Sequence, residues 1–192
     1  MEATHGRTRK LVLGALMAAL VFVGSWVRIT LPIAIAGTTA FHLGNIMCAL
    51  SGILLGPVGG GLASAVGSAL FDMTDPIYIS ECWITFLTKG LYGLVAGLVA
   101  WSGHRRGESL ARNEAATVAA AAAYAVIYLG KSFFYNGLLV EGLSVQAAAL
   151  TLAAKLPATI FNAVVAVVCA PLLAKAIQSG LKKAGLSRGG QT

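Results

Sequence analysis

The chain has 192 residues, of which 57% are hydrophobic and 11% charged, and its Lys and Arg outnumber Asp and Glu by seven. Soluble domains carry about a quarter charged residues, so a soluble globule is excluded. Nucleic-acid binding is excluded as well, because the basic residues fall in short stretches between apolar segments rather than along one polar face.

Six apolar stretches follow in order, at 11–27, 43–55, 58–71, 83–101, 115–130 and 147–174. The first is preceded by Arg7, Arg9 and Lys10 and carries Ala15 and Ala19, small residues one turn apart. Ala34-Ile35-Ala36 imitates a signal-peptide cleavage site, but it lies too far beyond the apolar run and Arg28 intervenes, so the segment reads as a retained helix. The second and third stretches are shorter than the roughly 17–25 residues of a membrane span, so flanking polar residues must extend them. Gly56-Pro57 is a turn signal between them. Gly52, Gly56, Gly60, Ser64 and Ser68 recur every fourth residue around that turn, as do Gly93 and Gly97 in the fourth stretch. Such spacing lets helix backbones approach closely in lipid. The stretch from Gly52 to Gly60 crosses the turn, so it cannot be one continuous helical stripe.

Arg105, Arg106 and Arg112 follow the fourth stretch, and Lys175, Lys182, Lys183 and Arg188 close the chain. The expected fold is an all-α integral membrane protein, a single domain 1–192 of six transmembrane helices in one bundle, with tails at 1–10 and 176–192. Six crossings put the three basic clusters on one side with a net charge of +7, while Arg28, Lys89, Lys131 and Lys155 on the other cancel against Asp72, Asp75, Glu81 and Glu141. The excess of Lys and Arg places both termini in the cytoplasm. The halves of the chain show no internal repeat of the kind found in many secondary transporters.

An ionisable side chain within an apolar helix is costly and usually faces a cavity or a partner. Ser64, Ser68 and Asp72 share one face of the third helix; Thr85, Lys89 and Tyr92 share one of the fourth. Tyr124, Tyr128, Lys131 and Tyr135 lie on the fifth, and Thr151, Lys155, Thr159 and Asn162 on the sixth. His42 and Asn45 stand at the outer end of the second. These stripes fall in the outer half of the bundle and predict a polar vestibule open outward and sealed below. Its candidate lining is His42, Asn45, Asp72, Trp83, Lys89, Tyr92, Tyr128, Lys131, Lys155 and Asn162. Lys89 and Lys155 would meet an anionic or strongly accepting group of a ligand. In the competing reading they snorkel to the interface, or Asp72 neutralises one of them and leaves a neutral ring to stack on Tyr92 or Trp83. Tyr124 and Tyr135 read as packing aromatics, Asp75 and Glu81 as solvated loop residues.

Catalytic motifs are missing from the sequence. Gly130-Lys131-Ser132 imitates the end of a phosphate-binding loop, but the first glycine of that motif would fall at Ala125. No G-x-S-x-G, H-E-x-x-H or paired-cysteine motif occurs, and Cys48, Cys82 and Cys169 share no metal-ligand spacing. The expectation is no enzyme, no cofactor and no metal; an intramembrane enzyme using Asp72 and His42 has no motif behind it.

The run Phe41-His42-Leu43-Gly44-Asn45, then Leu54-Leu55-Gly56-Pro57 with Gly59 to Gly61, Gly67-Ser68-Ala69-Leu70 and Asp72, resembles helices two and three of the substrate-binding S components of energy-coupling factor (ECF) vitamin transporters. Family members often have Asp where this chain has Asn45. Thr85-Phe86-Leu87-Thr88-Lys89-Gly90-Leu91 with Gly93 and Gly97 is similar to the family's fourth helix. The resemblance covers residues 8 to 175 in order and spacing. It implies a multi-pass subunit of the prokaryotic cell membrane that captures a vitamin or vitamin precursor from outside, with high affinity. Uptake would be driven by ATP, as in an ABC transporter, through a transmembrane coupling protein and two ATPase partners, with inward release by tilting. It also implies that Ala15 and Ala19 form the docking surface for the coupling protein. The ligand stays open among hydroxymethylpyrimidine, pyridoxine-like compounds, riboflavin, folate, pantothenate or another precursor, since pockets diverge on a shared fold. A stand-alone channel or carrier is the alternative.

Overall fold

The computed structural model describes residues 2–32 and 38–185; Ala34-Ile35-Ala36 and Arg188 lie outside them. Helix α1 (Glu2–Trp26) leads into a two-stranded antiparallel hairpin, β1 (Arg28–Pro32) and β2 (Thr38–His42), with Arg28 opposite His42 and Thr30 opposite Ala40. Four helices follow: α2 (Gly44–Thr74), α3 (Cys82–Trp101), α4 (Leu110–Lys131) and α5 (Val145–Lys183). A 3-10 turn, Ile79–Glu81, precedes α3, and a π-helical segment, Ser132–Val140, continues α4. Among the described residues, five helical segments are long and apolar enough to cross a membrane, so the chain is a predominantly helical, multi-pass membrane protein. The all-α expectation holds, with this short hairpin as an addition between the first two helices. Thr30 and Thr39, with β-branched side chains that suit strands, lie on the two paired segments.

The expected turn at Gly56-Pro57 is a break inside α2. Gly56 has φ +82°, a left-handed value favoured only by glycine, and Pro57 then starts the second arm, where its missing N–H is no loss. The arms run back alongside each other. Gly60 sits against the backbone of Gly52, Ser64 Oγ donates to the Cys48 carbonyl at 3.3 Å, and Cys48 Sγ lies 3.8 Å from Ser68 Oγ. The small-residue series is therefore two facing stripes across a hairpin. Against this pair packs α3, whose Gly93 and Gly97 meet Gly60 and Pro57 backbone to backbone.

The end of the bundle at the α2 break is pinned by polar contacts. Trp101 covers Gly56, and its indole N–H donates to the Ile53 carbonyl at 2.9 Å. The Gly107 carbonyl accepts from Asn113 Nδ2 at 2.7 Å and from Gln178 Nε2 at 2.9 Å, so one backbone oxygen ties the loop to α4 and α5. Above this knot lie the apolar layers of Leu50, Ile53, Ala63, Ala100, Ala116 and Ala174, then Val21, Ala49, Tyr92, Ala96, Ala120 and Ala166. The outer girdle is apolar: Leu16, Leu98, Val126 and Phe161 are all exposed, as a lipid-facing surface requires.

A side chain at Gly52 would come within 2.8 Å of Ala96 Cβ and Gly97 N, whereas Gly130, also within a helix, has nothing within 4 Å of a built Cβ. Gly52→Leu is expected to lower the melting midpoint sharply in detergent or to prevent folding. Gly130→Ala should match or slightly exceed the parent, since alanine is favoured over glycine in a helix by about 1 kcal/mol.

Candidate functional site

At the end of the bundle away from the α2 break, the helix ends, the β-hairpin and the Ile79–Glu81 turn enclose a cavity of about 300 Å³, within the range of small-molecule sites. Eight of the ten candidate residues line it: His42, Asn45, Asp72, Lys89, Tyr128, Lys131, Lys155 and Asn162. Two do not. Trp83 is 57% exposed on the outside of α3, because six residues of helix rotate it away from the Lys89 face. Tyr92 lies on the Lys89 face but one turn deeper, fully buried edge-on to Tyr124 with ring centroids 5.6 Å apart. Tyr124, read from sequence as a packing aromatic, lines the cavity and stacks on Tyr128 at 5.7 Å.

The walls are cross-linked. Lys89 Nζ donates to Asn45 Oδ1 and lies 4.1 Å from the centre of the Tyr124 ring. Lys155 Nζ donates to Ser132 Oγ at 3.3 Å and lies 6.0 Å from the centre of the Tyr128 ring. Asn162 binds the hairpin twice: its Nδ2 donates to the Ala40 carbonyl at 2.8 Å, and its Oδ1 accepts from the His42 N–H at 3.0 Å. This ties β2 to α5, while Phe41 and Phe161 meet edge-on beside it at 4.7 Å.

Asp75 and Glu81 are not the solvated loop residues expected. Asp75 is buried and forms an ion pair with Arg28, whose guanidinium also lies over Phe71 and Tyr78 at 4.8 and 5.2 Å. Glu81 accepts from both Lys131 Nζ and Asn136 Nδ2. Sequence reasoning missed Asn136 for a definable reason. On an α-helix, positions 131 and 136 point about 140° apart, but the π-helical Ser132–Val140 segment brings residues five apart into line. Arg28 could have been found: an arginine two residues after an apolar helix, facing a loop with two acids, already suggests pairing.

His42 lies between membrane-crossing helices, and burial, followed by the nearby charges of Lys89 and Arg28, pushes its imidazole down to about 3. The ring is thus neutral at physiological pH. Its Nδ1 accepts from the Gly44 N–H at 3.1 Å, which leaves the proton on Nε2 as a donor.

Comparison with known proteins agrees with this architecture. The family profile described as "ECF-type riboflavin transporter, S component" matches residues 6–179. The chain belongs to the ECF transporter S component family. That family consists of transporter subunits and is not an enzyme family. A protein of Pyrococcus woesei, described as "Uncharacterized protein in gap 3'region", is 39% identical over 71 residues, which are 37% of this chain and 45% of that one. The match therefore spans under half of that relative's length.

Nitrogen NMR of His42 in the purified protein should show a neutral Nε2–H imidazole from pH 5 to 8. A titration step near 6.5 would mean that the ring is not enclosed as described.

Proposed function

We propose that this S component is the high-affinity substrate-binding subunit of an ECF-type transporter, and that it captures a vitamin or vitamin precursor at the outer face of a prokaryotic cell membrane. The two arms of α2 would each cross the bilayer, giving six crossings. With Arg9, Lys10, Arg105, Arg106, Lys175, Lys182 and Lys183 gathered at the end opposite the cavity, both termini would be cytoplasmic. The observation that carries the reading is the contrast between the ends of the bundle. One holds a cavity lined by eight of the ten candidate residues; below it, tightly packed small side chains and the Trp101, Asn113 and Gln178 hydrogen bonds close the other. This favours capture over an open channel.

The chain would perform no chemistry on its ligand. Movement of the ligand would depend on a transmembrane coupling protein and two ATPase subunits. The proposed contact is α1, where Ala15 and Ala19 are exposed and Gly14 has open space around it, a surface that permits close helix approach.

Co-expression with the coupling protein and ATPases of the same organism should yield a stable complex. Uptake by this chain alone in proteoliposomes would contradict the reading. Replacing both Ala15 and Ala19 with Leu should abolish the complex while leaving the melting midpoint of the isolated chain unchanged. Equal loss of both would assign these alanines to internal packing.

A further inference from the structure

The charges around the cavity do not balance by contact. Four cations line it: Arg28, Lys89, Lys131 and Lys155. Arg28 is paired with Asp75, and Lys131 with Glu81. Lys89 and Lys155 have no carboxylate within 4 Å among the described residues, although each is only 7% exposed. The remaining acids of the wall contact neither lysine. Asp72 is buried yet within 4 Å of neither lysine, and Glu141 is exposed at the rim.

An ammonium carries three N–H donors. Lys89 directs one to Asn45 Oδ1 and faces the Tyr124 ring; Lys155 directs one to Ser132 Oγ. Each keeps donor capacity toward the cavity. Snorkelling does not account for them, since both are enclosed in the cavity wall rather than extended along the outer surface. The two also stand against the two rings of a single stacked pair, Tyr124 and Tyr128, both of which line the cavity. Charges taken out of water with no anionic group in contact are costly, and an arriving anion would form charge-assisted hydrogen bonds with them.

We propose that the molecule captured here is an acid, with an ionised carboxylate or phosphate held by the ammonium groups of Lys89 and Lys155. This rests on the substrate-binding reading and narrows it. A neutral compound would leave both lysines without an anionic group in contact, so the preference is for acids over their neutral counterparts of similar shape.

The test uses the full chain, purified in detergent, and calorimetric titration with matched pairs. The pairs are riboflavin 5′-phosphate and riboflavin, pyridoxal 5′-phosphate and pyridoxal, pantothenate and pantothenol, nicotinate and nicotinamide. At least one acid should bind, at least tenfold more tightly than its neutral partner, and whether phosphates or carboxylates do so identifies the anion. Lys89→Met and Lys155→Met should each weaken that acid by tenfold or more, about 1.4 kcal/mol, without lowering the ligand-free melting midpoint. Lys89→Arg and Lys155→Arg, which keep the charge, should retain more affinity than the Met variants. The proposal is overturned by a neutral member binding as tightly as its acid, by no acid in the panel binding, or by Met variants with unchanged affinity. Tight binding of neutral riboflavin by a chain that still assembles with its ATPases would sink only the acid preference. Failure to assemble would sink the subunit reading instead.

Discussion

The close approach of three helical segments, backbone against backbone at Gly52, Gly60, Gly93 and Gly97, sets the geometry on which the cavity depends. In lipid there is little hydrophobic gain from burying one apolar helix against another, so packing must come from close contact between small residues. Here glycine gives the two arms of α2 and the middle of α3 a separation that no larger residue permits. Toward the cavity from this contact, larger polar side chains replace the glycines. Asn45 on one arm then meets Lys89 on α3, while Asp72 on the other arm reaches the same cavity. The polar site is thus the divergent end of a tightly closed hairpin.

Closure at one end and cross-linking at the other have different physical origins. The Trp101 and Gly107 contacts satisfy backbone groups that the break at Gly56 and the loop would otherwise leave unpaired. Around the cavity, ion pairs and Asn162 tie the hairpin and the Ile79–Glu81 turn to the helices. Both sets are side-chain mediated, but the inner one closes onto the backbone-to-backbone glycine packing of α2 and α3, while the outer one surrounds a cavity. That asymmetry suits the proposed capture of a molecule from one side without passage to the other.

Much of this was legible in the sequence. Gly56-Pro57 marked the reversal in α2, and four-residue spacing placed Ser68 and Asp72, and likewise Lys155, Thr159 and Asn162, on faces that line the cavity. Periodicity failed where the backbone departs from the α period. The β-hairpin between α1 and α2 followed from no strong turn signal, and the π-helical run hid the alignment of Lys131 with Asn136. Trp83 lies outside the cavity because six residues of helix turn it away from the Lys89 face. Asp75 and Glu81 were read as solvated because a pair partner distant in the chain, Arg28 or Lys131, leaves no local mark.

The central claim is that the cavity is a capture site for one small molecule. Native mass spectrometry of the protein purified from a membrane of its own organism tests this most directly. The account predicts one non-lipid molecule per chain, of a size that fits about 300 Å³, released when the protein is unfolded. A chain that carries only lipid, and gains no bound molecule after incubation with extract of its own growth medium, would contradict it.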